Sequence, residues 1–227
     1  MLKGKHLFFI LSVIISLSSC TTTRLLTSSV KANEVTDLQK FETLSYITLI
    51  EKANRGTHND TLSNLSKAIF ADVLSSFGNR IPLTGNIIVN DFQTRNRVRQ
   101  EIEFLCITAD KKKEISSLKL MPTLDSLLEQ NQKRFGLITI TSGLTRVKGN
   151  YGKQIAKGIG IGILSLGMVH VTPIKAHSTV YVMILDSKDN NIAFFRRSRL
   201  SDKEPLDEAI LRKQVQRIFK GYFWPPN

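Results

Sequence analysis

The sequence contains few of the residue combinations that catalytic or metal sites require. His170 and His177 lie seven residues apart with no carboxylate between them, whereas zinc-binding helices use His-Glu-x-x-His to place two imidazoles on one face. No Gly-x-Ser-x-Gly segment is present to hold a serine nucleophile. Asp186 and Asp189 flank a predicted hairpin turn, where aspartate commonly accepts hydrogen bonds from the backbone. We therefore predict a protein that is not an enzyme and that holds neither a metal ion nor a cofactor.

The first 20 residues have the pattern of a secretory signal peptide. Two lysines precede an apolar stretch over residues 7–17, which is too short for a permanent membrane helix of about 20 residues. The stretch ends in Leu17, Ser18, Ser19 and Cys20, which resemble the lipobox of bacterial lipoproteins. The resemblance implies that the peptide is cut before Cys20, that this cysteine receives a diacylglyceryl group, and that the new amino terminus is acylated. Such a terminus carries more than the two chains that stable anchoring needs, so we predict membrane attachment through lipid.

The residue after the lipobox bears on the location of the protein. In the lipoprotein family an Asp at this position favours retention in the inner membrane, and Thr21 stands there in this chain. The resemblance therefore implies an outer-membrane protein, and the lack of an acidic run after Cys20 implies a body that faces the periplasm.

Cys106 is the second of the two cysteines in the sequence. With Cys20 lipidated, no disulfide can form within one mature chain. The neighbours of Cys106 are largely apolar in the segment EIEFLCITAD, so we predict a buried structural thiol instead of a reactive one.

The chain is strongly basic, with a formal net charge of +13. A charge of this sign often indicates nucleic-acid binding, but the predicted envelope location excludes that partner and favours lipid head groups, lipopolysaccharide or peptidoglycan. Arg196, Arg197 and Arg199 form one basic cluster. We predict that these three residues contact an anionic glycan or lipid, and a solvated surface is the alternative.

Hydrophobic periodicity predicts a fold of the α/β (α+β) class: a single domain with a mixed β-sheet, a C-terminal β-hairpin and helices packed on it. This periplasmic domain covers residues 44–227, and the polar residues 21–43 are predicted to form a tether. Strands are expected over residues 44–51, 137–140 and in a hairpin at 177–198. Asp60 and Asp91 are expected to cap the first two helices, and Pro122 and Pro205 to begin the next two. Residues 79–86 are expected to form a loop. The first helix is predicted to bury one apolar face, made of Leu62, Leu65, Ile69, Val73 and Phe77.

A segment in which glycine and isoleucine alternate is the most unusual part of the chain. It is not a Walker A loop, because Gly152 and Lys153 are followed by Gln154 where Ser or Thr is needed. Its apolar run over residues 159–169 is about half of a membrane span. Glycines at this density indicate close backbone packing. Three interpretations remain open: a buried crossover, a membrane-inserted segment, or an interface with another copy or another envelope protein, made of Gly158, Gly160, Gly162, Ile159 and Ile163.

The order of elements resembles the small periplasmic domain of the curli-secretion-channel lipoproteins and their relatives. The resemblance rests on the lipobox, on RFGLITITSG after a helix that starts with proline, and on the hairpin STVYVMILDSKDNNIAFF before a closing helix. It implies a non-enzymatic outer-membrane lipoprotein that acts as an accessory or scaffold of an envelope secretion or assembly system. The alternative is a periplasmic binding module for an anionic glycan or lipid.

Overall fold

A computed structural model describes residues 22–27, 30–112, 114–165, 168 and 173–225, with only the backbone described for residues 22–27, 162 and 163. Cys20 and the other lipobox residues lie outside this part of the chain. In sequence order, the elements are β1 Thr22–Thr27, β2 Leu38–Lys40, β3 Leu44–Lys52, β4 Arg55–His58, α1 Asp60–Ser75, β5 Leu83–Asn86, α2 Phe92–Lys111, α3 Pro122–Gln130, β6 Phe135–Arg146, α4 Asn150–Leu164, β7 His177–Asp186, β8 Asn191–Ser201 and α5 Glu208–Phe219.

The strands form one mixed sheet with the long strand β6 near its middle. On one side, β6, β7, β8 and β1 pair antiparallel in that order. On the other side, the first residues of β6 pair in parallel with β2 and its later residues pair in parallel with β3. The short strands β5 and β4 pair with β2 and β3 respectively. The predicted class, a mixed α+β domain with a C-terminal hairpin, is confirmed.

Helices cover both faces of the sheet, as the alternation of side chains along β7 requires. Val180, Val182 and Ile184 point into a core that also contains apolar residues of α1 and α5. Met183 and Leu185 point into a second core with residues of α2 and α3. The sheet is therefore buried between two helical layers over most of its length.

The buried face of α1 agrees with the predicted one only in part, since Val73 and Phe77 are buried as predicted but Leu65 is not. Leu65 is 48% exposed, whereas the buried residues of the helix are Ser63, Ser66, Phe70, Val73 and Leu74. The Ser63 hydroxyl oxygen accepts a hydrogen bond from the Ile47 N–H at 2.9 Å, and the Ser66 hydroxyl lies 3.1 Å from that of Thr141. The strands below α1 present polar groups that need hydrogen-bond partners in the core. The helix therefore turns Ser63 and Ser66 toward the sheet, and its buried face is not purely apolar.

The predicted tether over residues 21–43 is wrong, because this segment supplies two strands of the sheet. β1 pairs with β8 along its six residues, and β2 lies between β5 and β6 with Leu38 completely buried. The loop predicted near residue 83 is likewise a strand, β5. β2 and β5 contain three and four residues, and such short elements show no hydrophobic period in the sequence. The domain therefore begins before the predicted boundary at residue 44.

Several other predictions are confirmed. Pro122 is the first residue of α3, and Asp91 caps α2 by accepting a hydrogen bond from the Thr94 N–H. Cys106 is buried against the sheet, and its burial raises the pKa of the thiol to about 12. Two helix starts differ from the predicted ones. Asn59 instead of Asp60 caps α1, by accepting a hydrogen bond from the Leu62 N–H, and α5 starts at Glu208 with Asp207 as its cap, three residues after Pro205.

Candidate functional site

Arg196 is a structural residue, so its predicted role as an anion contact is wrong. Its side chain is only 6% exposed, and Nη1 donates to the carbonyl oxygens of Ile218 and Lys220 at 2.5 Å and of Arg217 at 3.4 Å. These carbonyls belong to the last turn of α5, where the helix leaves acceptors without an intrahelical donor. The Arg196 guanidinium therefore supplies hydrogen-bond donors to carbonyl oxygens at the C-terminal end of α5. The helix dipole favours a positive charge at this end.

The other two arginines of the predicted cluster point to the opposite face of β8, because side chains alternate along a strand. The Arg197 guanidinium forms an ion pair with the Asp110 carboxylate of α2, and both side chains are about three-quarters buried. Arg199 is exposed and lies opposite Thr22 of β1. The structure thus divides the three arginines among a helix end, an ion pair and the surface, and they do not form one basic patch.

The glycine segment forms a surface helix, α4, instead of the buried crossover that was one of its interpretations. Gly158 is buried, but Ile159 is 57% exposed and Leu164 is 87% exposed. A Cβ atom added to Gly160 would find no neighbouring atom within 4 Å. None of the helices in the described ranges is both long and apolar enough to cross a membrane. An interface and membrane insertion remain as interpretations of Gly158, Ile159 and Gly160, and of Gly162 and Ile163 farther along the helix.

A gap in one edge of the sheet forms a cleft between α1 and α2, which we call the edge cleft. Lys40 of β2 pairs with Leu137, whereas Leu44 of β3 pairs with Ile140. The segment that joins β2 to β3 therefore has one more residue than the matching part of β6. This is the geometry of a β-bulge. β5 covers β2 and β4 covers the later part of β3, so residues 41–46 remain uncovered. The cleft has two adjoining hollows of about 360 and 470 Å³, lined by basic residues from three elements: Lys40, Lys67, Arg95 and Arg99.

Positive charge in the edge cleft is only partly neutralised. Lys67 forms an ion pair with Glu42, and Arg95 donates to two backbone carbonyls at 3.3 and 3.4 Å. The pKa of the Lys40 ammonium is lowered by its burial and, to a lesser extent, by the charge of Lys67. Within the described residues, the Lys40 ammonium forms no hydrogen bond or ion pair. An anion placed between the two lysines would relieve this repulsion.

One wall of the edge cleft carries a tyrosine held by two charged residues of α2. The Tyr46 hydroxyl donates to the Glu103 carboxylate, which also accepts from Arg99 Nε at 2.9 Å. The Arg99 guanidinium lies 5.5 Å from the Tyr46 ring centre, within the range of a cation–π contact. Burial and the neighbouring carboxylate raise the pKa of Tyr46 to about 12. Tyr46 is therefore neutral at physiological pH and presents an aromatic surface to the cleft.

The exposed edge of β3 also offers backbone hydrogen-bonding groups to the cleft. The Ile47 N–H and C=O point away from β6, since they bind the Ser63 hydroxyl and the Asn59 N–H, each at 2.9 Å. Backbone groups alternate in direction along a strand. The N–H and C=O of Ser45 therefore point toward the same side, into the edge cleft.

The chemistry of the edge cleft suits binding better than bond breaking. His58 Nε2 lies 3.1 Å from Asp60 Oδ1 at the rim, and both side chains are exposed. Over the described parts of the chain, no three His, Cys, Asp or Glu residues come together as a metal site. Among the basic residues of this cleft, only Arg95 and Arg99 are close together in the sequence. Lys40 and Lys67 come from distant segments, so the sequence alone does not show that they meet.

Comparisons with known proteins give only weak similarity. No protein-family model matches the chain, and no curated protein matches it. A PelC dodecamer from Paraburkholderia phytofirmans is similar with 8% identity and a TM-score of 0.41, over 90% of this chain and 99% of that chain. A second PelC dodecamer structure gives 9% identity and 0.38, over 87% and 96%. A DUF4136 family protein from Bacteroides thetaiotaomicron gives 8% identity and 0.30, over 88% and 92%. At these TM-scores, the similarities carry no argument about the function of this chain.

Proposed function

We propose that this chain is a non-enzymatic, lipid-anchored protein of the bacterial outer membrane, which faces the periplasm and serves as an accessory or scaffold of an envelope secretion or assembly system. The observation that carries the proposal is the position of β1. Its first residue, Thr22, follows the lipobox cysteine Cys20 by two residues. Since a residue spans at most about 3.6 Å of extended chain, the lipid would be attached within roughly 7 Å of the sheet.

This short connection makes the anchor part of the fold. β1 pairs with β8 along its whole length, from Thr22 opposite Arg199 to Thr27 opposite Phe194. A lipid attached to this strand would hold the body in a restricted orientation, unlike a lipid on a long flexible tether. A restricted orientation is useful to a protein that presents fixed surfaces to neighbours in the envelope.

The anchor is tested by replacing Cys20 with Ser and separating the soluble, inner-membrane and outer-membrane fractions of cells. The variant is expected to leave the outer-membrane fraction, because one lipid attachment site supplies the anchor. The matched control is Cys106→Ser, which keeps the lipobox and is expected to stay in the membrane. Outer-membrane retention of Cys20→Ser at the wild-type level would overturn the proposed anchor. The scaffold role is tested separately by native mass spectrometry of the detergent-extracted protein, where a monomer without any partner would contradict it.

The edge cleft favours a second candidate function, the binding of an anionic ligand such as a glycan fragment that carries carboxylates. Its support is the pair of lysines, Lys40 and Lys67, whose charges repel one another beside Arg95. A peptidoglycan fragment with free carboxylates is the probe, and calorimetric titration measures its affinity. Lys40→Met and Arg95→Met are expected to weaken binding and to reduce its dependence on salt. The control Arg199→Met removes an exposed charge elsewhere. Unchanged affinity in both cleft variants would exclude this function.

A further inference from the structure

The uncovered edge of the sheet in the edge cleft lies between two short strands. At one end, the segment after β5 closes on β2, where the Ile87 N–H donates to the Lys40 carbonyl at 2.9 Å. At the other end, the Asn59 N–H after β4 donates to the Ile47 carbonyl at 2.9 Å. Within the described ranges, residues 41–46 have no neighbouring strand on this side. Six residues of strand extend over about 20 Å, which leaves room for an added segment of about three or four residues.

The backbone of Ser45 is the part of this edge that lacks a partner. Ile47, two residues farther along β3, binds the Ser63 hydroxyl through its N–H and Asn59 through its carbonyl, so these groups point away from β6. The N–H and C=O of Ser45 point the same way, and no group in the described part of the chain binds them there. A donor and an acceptor exposed side by side at the edge of a sheet are the groups that an added strand binds.

Helices α1 and α2 form the two walls of the cleft beside this edge. Lys67 of α1 and Arg95 of α2 line it from opposite faces of the sheet, and Lys40 adds a second ammonium beside Lys67. Glu42 pairs with Lys67, whereas Lys40 and Arg95 form no ion pair with any described residue. Because side chains alternate between the two faces of a strand, adjacent acidic side chains of an added segment would meet Lys40 on one wall and Arg95 on the other.

We propose that the edge cleft binds an extended acidic segment of a partner protein, which adds to the edge of β3. The Ser45 N–H donates to a carbonyl of this segment, and the Ser45 C=O accepts from one of its N–H groups. Carboxylates of the segment bind Lys40 and Arg95. The inference rests on the scaffold function proposed above, since it specifies the chemistry of a partner. It assigns the edge cleft to a peptide, whereas the second candidate function assigns the cleft to a glycan fragment.

Backbone geometry and charge together favour this occupant. A peptide repeats its donors and acceptors at the spacing of the strand edge, about 4.8 Å from the neighbouring strand, whereas a glycan has no such repeat. A second copy of this chain has the same formal net charge of +13, and like charges oppose its approach to a basic cleft. The two adjoining hollows of about 360 and 470 Å³ are within the range of ligand pockets, about 300–1,000 Å³.

The probe is a blocked hexapeptide with two adjacent glutamates, flanked on each side by two threonines. Calorimetric titration measures its affinity for the mature lipidated protein in a zwitterionic detergent. A second peptide of the same sequence has every backbone N–H methylated, so it keeps both carboxylates but donates no backbone hydrogen bond. This peptide is expected to bind at least about fivefold more weakly, and equal affinity would overturn the addition of a strand. A peptide with glutamines in place of the glutamates is also expected to bind more weakly, and equal affinity would overturn the contacts with the basic walls.

Two substitutions at Ser45 separate its backbone from its side chain. Ser45→Pro removes the N–H, which faces away from β6, and so keeps the pairing within the sheet. Ser45→Ala is the comparison, since it removes the hydroxyl that accepts from Thr141 at 2.9 Å and keeps the N–H. Ser45→Pro is expected to weaken binding at least about fivefold more than Ser45→Ala, and equal effects would overturn the role of the N–H.

Amide hydrogen exchange in the wild-type protein gives a measurement that needs no variant to fold. Saturation with the probe peptide is expected to slow exchange of the Ser45 N–H at least about tenfold, because the N–H becomes hydrogen-bonded. Exchange of this N–H at the same rate with and without bound peptide would overturn the inference.

A parallel titration with oligogalacturonate, a glycan with carboxylates and no peptide, separates the possible occupants of the cleft. If the glycan binds and the peptide does not, the inference is overturned and the second candidate function stands. If neither binds, both assignments of the cleft are overturned. Cell fractionation and native mass spectrometry test the anchor and the scaffold role without added ligand. A protein that remains anchored and assembled but does not bind the peptide would therefore overturn only the inference.

Discussion

Replacement of Arg196 with Met separates a structural role of this residue from a role in binding. In the structure, one guanidinium nitrogen donates to the carbonyl oxygens of Arg217, Ile218 and Lys220 at the end of α5. Methionine has a similar length and is apolar, but it supplies no donor. The Arg196→Met variant therefore loses the hydrogen bonds that close the last turn of the helix, while most of the packing is kept.

The expected loss of stability follows from these contacts. A hydrogen bond with a charged partner contributes about 1.5–3 kcal/mol, and the removal of one member of a buried charged set costs about 3–5 kcal/mol. The three bonds share one donor group and so do not add, and methionine recovers part of the loss by apolar burial. We expect the free energy of unfolding to fall by about 2–4 kcal/mol. For a domain of this size, the melting temperature then falls by roughly 5–15 °C.

Urea denaturation followed by circular dichroism measures this change. Arg199→Met is the control, since Arg199 lies on the same strand but is exposed, and exposed substitutions change stability by about 0.5 kcal/mol or less. Equal stability of the two variants would refute the reasoning. A loss of anionic-vesicle binding in Arg196→Met at unchanged stability would restore the anion contact that the sequence predicts.

Other consequences of the structure concern pH, glycine packing and the face of α1. The pKa of Asp37 is lowered to about 2, chiefly by hydrogen bonds, so its ionised form stabilises the fold above the unfolded pKa of about 3.9 and this contribution is lost as pH falls toward 2. The difference in urea midpoint between wild type and Asp37→Asn is therefore expected to shrink between about pH 4 and pH 2, and a constant difference would contradict the assignment. A Cβ on Gly143 would lie 2.4 Å from a backbone oxygen, so Gly143→Ala is expected to cost about 1–3 kcal/mol by thermal denaturation. Gly160→Ala, which meets open space, is expected to raise stability by up to about 1 kcal/mol. A Gly160→Ala variant that is less stable than Gly143→Ala would contradict the packing seen at these two glycines. Phe70→Ala is expected to cost about 3–5 kcal/mol and Leu65→Ala about 1 kcal/mol or less in urea titrations, and equal costs would restore the predicted helix face.

The parts of the fold that could be predicted from sequence are those with a long local signal. β6 and the hairpin of β7 and β8 contain ten to twelve residues per strand, and α2 shows a clear apolar period. β2 could not be predicted, because its three residues are polar or mixed in sequence and become central only through pairing with β5 and β6. The position of such a strand depends on contacts that are distant along the chain.

The same limit applies to the candidate site. Arg196 and Arg199 are close in sequence and both basic, yet one is buried at the end of α5 and the other is exposed. Strand alternation separates Arg196 from Arg197 and Arg199, and only the position of α5 gives Arg196 its partners. Lys40 and Lys67 are distant in sequence, and the bulge between β2 and β3 places them at one cleft. The sequence therefore reveals the charges of a site, but the topology determines which of them meet.

The measurement that tests the central proposal most directly is the intact mass of the mature protein, extracted from cells in detergent. We expect a chain that begins at Cys20 and carries the added mass of a diacylglyceryl group and an amide-linked acyl chain. The same species should be recovered from the outer membrane. A mature chain that begins at another residue, or one that begins at Cys20 without lipid, would contradict the proposal that the sheet is anchored to the membrane through β1.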